Sequence, residues 1–285
     1  MNVAPPPHPG DERSGGVLVA DVGNSRIKLA RVEGWGAGPT AASPPRVSHR
    51  LSLDAATPDA TALGRWLSGL PAGPARLLVA SVHDAAADRL ERAVRGGSAA
   101  RSLAVRCRRI GHADLPVVVA LDAPQRVGID RLAAAAAAAI LRPRGVGAIV
   151  VDGGTAVTVD LVDAAGRFLG GAILPGPSLQ ARALAVGTSL LPEIDTLSIA
   201  PPPPMPGRST RDAIAAGIGW GIRGAVAEVV ARARDALMAD GRTAAPAVFV
   251  TGGWGPALLP ALDGAVAMPD LVPAGIATAC DPAVD

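Results

Sequence analysis

The sequence predicts an α/β protein of two similar halves, and three observations predict it. An apolar strand-like segment runs into an Asp-x-Gly turn and straight back into strand twice, at residues 17–32 and again at 148–162. Strand-like and helix-like stretches alternate in each half, which implies sheets with crossover helices. The chain has 285 residues, enough for two domains of ordinary size whose cores need no staples. We divide it into a disordered tail at 1–16, an N-terminal domain at 17–143 and a C-terminal domain at 144–285.

Taken in order, the first 16 residues are rich in Pro, Gly and charge and lack the basic-then-apolar order of a signal peptide, so they read as a tail. Residues 17–20 and 27–32 are apolar runs folded about the first glycine turn and read as strands. A Gly/Pro/Ser-rich loop fills 34–45. Residues 60–69 then read as helix, 77–81 as a buried strand, 85–94 as helix and 117–120 as a further strand. The stretch 130–142 is helix by propensity, because its seven consecutive alanines lose least in that conformation. The second half opens as the first does. A strand runs to Val151, a glycine turn follows, and strands at 157–162 and 167–174 flank a turn at Ala165-Gly166. Pro201 to Pro204 with Pro206 form a stiff connector. Residues 213–238 read as a long helix with a break at Gly221, and 247–251 as a strand ending at Gly252-Gly253.

Composition excludes several classes of function. The formal net charge is +2, and no dense basic run stands beside aromatic residues, so neither a nucleic-acid groove nor a polybasic membrane patch is supported. Cys107 and Cys280 lie far apart without any short Cys/His spacing, which argues against a zinc site or a disulfide framework and fits a reducing cytoplasm. The longest apolar run, 132–141, is half the length of a membrane span. A soluble cytoplasmic protein without nucleic-acid or membrane partners is therefore expected. His8, His49, His83 and His112 show no ligand spacing.

The two turns carry the chemistry. In Asp21-Val-Gly-Asn-Ser25 and Asp152-Gly-Gly-Thr155 a residue without Cβ lets backbone N–H groups crowd against an anion, and the aspartate can hold a metal through water. Ser25 and Thr155 add hydroxyl donors, so the pair reads as a nucleotide phosphate clamp. Of 27 basic residues, one is lysine and the rest are arginine; that lysine is Lys28, at the end of the first motif. A lysine offers the compact mobile charge that suits a migrating phosphoryl group. In Val127-Gly-Ile-Asp-Arg131, Asp130 stands at a helix start, where the positive dipole end favours its ionised form. An ionised carboxylate there can accept the proton of an attacking hydroxyl. On these residues alone, a simple N-cap role for Asp130 stays open.

Repeated strand–turn–strand openings, together with Val250-Thr-Gly-Gly253, resemble the actin/hexokinase-like (ribonuclease H-like) folds, which place a nucleotide in a cleft between two similar domains. More specifically, five segments in order resemble the type III pantothenate kinases: Asp21 to Lys28, Gly128-Ile-Asp-Arg131, Asp152-Gly-Gly-Thr-Ala-Val-Thr-Val-Asp160, Gly170-Gly-Ala-Ile-Leu-Pro-Gly176, and Ser209-Thr210 followed by Ala213-Ile-Ala-Ala-Gly217. The resemblance implies ATP-dependent phosphorylation of pantothenate to 4′-phosphopantothenate, which opens coenzyme A synthesis, by a homodimer. It implies that Asp21, Val22, Gly23, Asn24, Ser25, Arg26, Ile27 and Lys28 contact ATP, with Asp21 reaching Mg2+ through water and Thr155 also on the phosphates. It further implies that Asp130 is the base, that Gly128, Ile129, Asp130 and Arg131 line the pantothenate, and that Thr210 touches it from the neighbouring subunit. Asp152 is implied as ligand of a monovalent cation, K+ or NH4+.

Three positions depart from the family pattern. Leu121 stands where members often place a tyrosine against the pantothenate, Ser209 stands where many have asparagine, and Asp152 is followed by a glycine where a bulkier residue is common. Two other readings compete. A sugar or N-acetylhexosamine kinase would share the clamp, and a non-catalytic nucleotide-binding regulator would keep the fold; Asp130 and Lys28 argue against lost catalysis.

Overall fold

The first strand of each half is apolar along nearly its whole length, so it must be covered on both faces and paired on both edges. The computed structural model describes residues 16–34, 44–71, 75–99, 105–199, 203–239 and 244–279. The tail expected at 1–16, apart from Gly16, lies outside them, as do the middle of the 34–45 loop and Pro201 and Pro202.

In the first half, β1 (Val17–Val22), β2 (Arg26–Glu33) and β3 (Arg46–Asp54) form an antiparallel meander. Helix α1 (Ala60–Ser68) leads to β4 (Ala75–Ser81), parallel to β1, and α2 (Asp84–Ala99) leads to β5 (Val105–Arg109), parallel to β4. The strand order is β3-β2-β1-β4-β5. Helix α3 (Ile129–Leu141) follows. The second half repeats the scheme with β6 (Ala148–Gly153), β7 (Ala156–Val162) and β8 (Phe168–Pro175), then α4 (Pro177–Gly187), α5 (Thr210–Met238), β9 (Ala247–Thr251), α6 (Gly255–Leu258) and β10 (Ala265–Ala267). Its order, β8-β7-β6-β9-β10, repeats the first strand for strand, with β9 parallel to β6 and β10 parallel to β9. The two α/β halves are thus duplicates in topology, as the paired strand–turn–strand openings predict.

Each unit has its own core. In the first, Leu18, Ala20 and Val22 of β1 pack with Leu63 and Leu67 of α1 and Ala86, Leu90 and Val94 of α2. Asp59 starts α1 by accepting hydrogen bonds from the backbone N–H groups of Thr61 and Ala62. In the second, Ile149, Val151, Val157, Val159, Val248 and Val250 pack on Ile222, Val226, Val230 and Ala233 of α5. Burying side chains of this size contributes about 1.5–3 kcal/mol each. That outweighs the ~1 kcal/mol a glycine costs inside a helix, so α5 runs unbroken through Gly221 for 29 residues. By length and composition α5 could cross a membrane, but half of its most apolar window is buried inside the protein.

One compact unit takes in the described residues up to Pro116, Gln125–Leu141 and those from Val272; the other takes in Val117–Pro124 and Arg142–Leu271. Both are discontinuous, where the sequence suggested a single cut after residue 143. The cause in the first unit is α7 (Leu271–Ala277), whose Gly275 presses on α3 so closely that a Cβ would lie 1.7 Å from the Ala133 carbonyl oxygen. The alanine run of α3 therefore does more than favour helix. Ala133 to Ala138 are all buried, and their small size admits the neighbour.

Several elements differ from expectation. Residues 117–120 form only a bridge, Val119 to Phe168, with the Phe168 N–H donating to the Val118 carbonyl at 2.8 Å and the Ala120 N–H donating to the Phe168 carbonyl at 2.9 Å. Strands β3 and β5 have no apolar run to mark them, being rich in Arg and polar residues. Helix α7 carries no sequence signal, since Pro273 and Gly275 both disfavour helix. The β7–β8 turn is clasped by Asp163, whose carboxylate accepts the Arg167 N–H at 2.9 Å and its Nε–H at 2.7 Å. Burial pushes the Asp163 carboxyl up, but the bonds and charge of Arg167 overcome this and hold it below its ordinary value.

Two outcomes follow. Gly275→Val lowers stability by at least about 1–3 kcal/mol, read as a shift in urea midpoint, through overpacking against α3. Because the Asp163 carboxyl is depressed in the folded state, its contribution is fully present above about pH 4 and is lost as pH falls through the folded value. Asp163→Asn removes that component, so the variant's thermal midpoint depends less on pH on the acid limb than the wild type's does.

Candidate active site

A strand paired on both sides exposes new groups only at its end, and the first site cluster sits there. β1 ends at Asp21-Val22, with Asp21 opposite Lys28 on β2 and beside Ala80 on β4. Lys28 Nζ lies 3.8 Å from Asp21 Oδ2. The turn between them is tight, with the Gly23 N–H donating to the Arg26 carbonyl at 3.0 Å, and Asn24, Ser25 and Arg26 are exposed while Val22 and Ile27 are buried anchors. A brace lies behind it. The Ala55 N–H donates to the Ser25 carbonyl at 3.1 Å, and Arg89 of α2 donates to the Ala55 carbonyl at 2.7 Å. The sequence reading missed this brace, for which the only local signal is Asp54, whose carboxylate accepts from the Ala56 and Thr57 N–H groups.

The structure brings the Asp130 segment to the same end of the same sheet. Just beyond β4, the Val82 N–H donates to the Val22 carbonyl at 3.1 Å, and the Val82 side chain lies 3.7 Å from where a Cβ on Gly128 would stand. The Asp130 carboxylate folds back over Gly128, so that this Cβ would come within 2.5 Å of Oδ1. Glycine at 128 is thus what lets the carboxylate take that position. Asp130 is the second residue of α3, and its Oδ1 accepts the Arg131 N–H at 2.9 Å. It lies in the first turn rather than at the cap, among the exposed N–H groups of the helix start. Ile129 is buried and Arg131 half-buried.

In the second unit, Asp152 is the last but one residue of β6, opposite Thr158 and beside Thr251. Backbone crowds this turn from two sides. The Gly176 N–H donates to the Thr155 carbonyl at 3.1 Å, and a Cβ at Gly176 would stand 2.4 Å from that oxygen. The Trp254 N–H donates to the Gly153 carbonyl at 2.8 Å, and Gly252, at φ 83°, leaves room where a Cβ would come within 2.3 Å of Asp152 Oδ1. Asp152 Oδ1 is buried and Thr155 exposed. Buried Arg223 of α5 donates to the Ala257 carbonyl at 2.9 Å and the Gly219 carbonyl at 2.6 Å, and burial pushes its guanidinium below its ordinary value.

Thr210 is joined to neither turn by these contacts. It is the exposed first residue of α5, and Ser209 is the N-cap, accepting the Asp212 N–H at 3.1 Å. Serine and asparagine cap about equally well, so the departure at 209 preserves the helix start. Leu121 lies against Gly170, which at φ 92° leaves 3.2 Å between the leucine and the place of a Cβ.

A profile described as type III pantothenate kinase matches residues 17–232. A type III pantothenate kinase of Halorhodospira halophila is 37% identical over 245 residues, covering 84% of this chain and 87% of its own. One from Alkalilimnicola ehrlichii is 33% identical over 270 residues, covering 91% and 96%. Among solved structures, a Campylobacter jejuni protein assigned to the Baf family of transcriptional activators shares the fold, with a TM-score of 0.53 and 18% identity over 91% of this chain and 94% of that one.

The cap at Ser209 gives a test of how the start of α5 is held. Ser209→Ala costs about 1 kcal/mol of unfolding free energy in urea while Ser209→Asn costs little; equal loss in both variants would show that the side-chain cap does not hold this end.

Proposed function

The chain belongs to the type III pantothenate kinase family, and from that premise we propose that it transfers the γ-phosphoryl group of ATP to the 4′-hydroxyl of pantothenate. One observation carries the reading beyond family membership. The Asp130 carboxylate, held in the first turn of α3, shares the end of one sheet with the Asp21–Lys28 ion pair. A base for the attacking hydroxyl and a mobile positive charge for the phosphoryl group are what such a transfer requires of a protein.

In this reading Asp130 accepts the hydroxyl proton as the oxygen attacks phosphorus, and Gly128, Ile129 and Arg131 position the pantothenate around it. Val22, Gly23, Asn24, Ser25, Arg26 and Ile27 present the first turn to the ATP phosphates, Lys28 follows the charge to the transferring group, and Thr155 donates its hydroxyl. Thr210 reaches the pantothenate of the neighbouring subunit in a cytoplasmic homodimer. Leu121 leaves this enzyme without the aromatic contact that many members use.

Among the described residues no group of three or more Asp, Glu, His or Cys side chains is placed to hold a metal ion. A magnesium ion would therefore be held by Asp21 through water and otherwise by the nucleotide, as is common for that ion. Bound there, it would offset phosphate charge. Asp152 fits a monovalent cation, with a buried carboxylate oxygen kept clear of any Cβ at Gly252.

The test is ADP release by the purified protein with ATP, Mg2+ and pantothenate, in potassium and again in sodium buffer. Pantothenate-dependent turnover in potassium, lost in sodium, supports the reading; turnover with hexoses instead, or none with any acceptor, overturns it. Asp130→Asn lowers kcat by about 10²–10⁴-fold with little change in thermal midpoint. If that variant stays fully active, another group is the base.

A further inference from the structure

The two halves are duplicates in strand order, and although the second hairpin turn is one residue shorter, each aspartate has a directly opposed residue on the following strand that can be compared. On the first, Asp21 faces Lys28, and the lysine ammonium stands 3.8 Å from the carboxylate. An ammonium group is a tethered monovalent cation. On the second, Asp152 faces Thr158, and the place of the ammonium is taken by a hydroxyl.

That hydroxyl has a fixed polarity. Thr158 Oγ1 donates to Asp160 Oδ2 at 3.0 Å, and Asp160 is only 1% exposed. Burying a carboxylate so completely is costly unless hydrogen bonds compensate, so its grip on a donor is firm. A threonine hydroxyl has one proton and two lone pairs. With the proton committed to Asp160, only acceptor capacity remains for anything else near Thr158. Residues two apart on a strand share a face, and directly opposed cross-strand residues have Cβ atoms about 4.5–5.5 Å apart. Thr158 therefore presents an acceptor-only oxygen on the same face as Asp152, whose Oδ1 is buried.

We propose that Thr158 supplies an oxygen ligand to the monovalent cation held at Asp152, and that Asp160 is the positioning residue that turns the Thr158 hydroxyl toward it. The proposal rests on the cation reading above and extends it to two residues that no part of that reading uses.

The measurement is thermal stability of the full chain titrated with KCl against choline chloride at constant ionic strength, with Tl+ binding by calorimetry as an independent probe. In the wild type the midpoint rises with K+. Thr158→Val, equal in shape, shifts the K+ midpoint of that rise and the Tl+ dissociation constant upward by about 10- to 100-fold, the usual scale for such changes around a metal. Thr158→Ser restores both, and Asp160→Asn weakens them by a smaller factor, because an amide can also donate to the hydroxyl. Wild-type K+ and Tl+ affinity in Thr158→Val overturns the proposal. So does the absence of any K+ response in the wild type. If Thr158→Val does not fold, unchanged affinity in Asp160→Asn overturns it in the same way. A wild type that binds K+ with this dependence on Thr158 but does not phosphorylate pantothenate sinks the kinase reading and leaves the ligand assignment standing.

Discussion

A strand hydrogen-bonded on both edges and buried on both faces has nothing left to offer except its end. β1 and β6 are in that position, each paired antiparallel to the following strand and parallel to a later one. An aspartate near that end is held by two ladders and can hardly move, yet the turn beyond it is open. The rest of each unit serves this arrangement. α1 and α2 cover one face of the first sheet, α5 covers one face of the second, and the hairpin partner brings Lys28 or Thr158 level with the aspartate.

Glycine enforces the other half of the constraint. At Gly128, Gly176 and Gly252 a Cβ would overlap a carboxylate oxygen or a carbonyl oxygen. These residues let backbone and acidic groups approach each other at distances that any side chain would forbid. The same device works far from the chemistry, where Gly275 of α7 lies on Ala133 of α3. There it serves packing, and the Gly-Ala contact joins the C-terminal helix to the unit that holds Asp130.

Much of this was legible in the sequence, because the signals are local. Two Asp-x-Gly turns between apolar runs mark both hairpins, seven alanines mark α3, and a lone lysine among arginines marks Lys28. Other features had no local signal. The polar edge strand β3 carries a positive-φ residue, His49 at 47°, and holds its place by pairing with β2. The 117–120 run has strand-like composition but bridges only to Phe168. The break expected at Gly221 does not form, since four apolar side chains buried on one sheet outweigh one glycine.

By itself the sequence determined the duplication, the positions of both turns and the residue types that could handle a phosphoryl group, since backbone preference and strand period depend on near neighbours. The tertiary structure decided which of those residues meet. It set Asp130 in the first turn of α3 rather than at its cap, brought Gly128 against Val82 beyond β4, and braced Ser25 through Ala55 and Arg89. It also buried Asp160 so that the hydroxyl of Thr158 can face only one way. Those facts depend on strand register and helix packing between residues distant in the chain, and distance along the chain carries no record of distance in space.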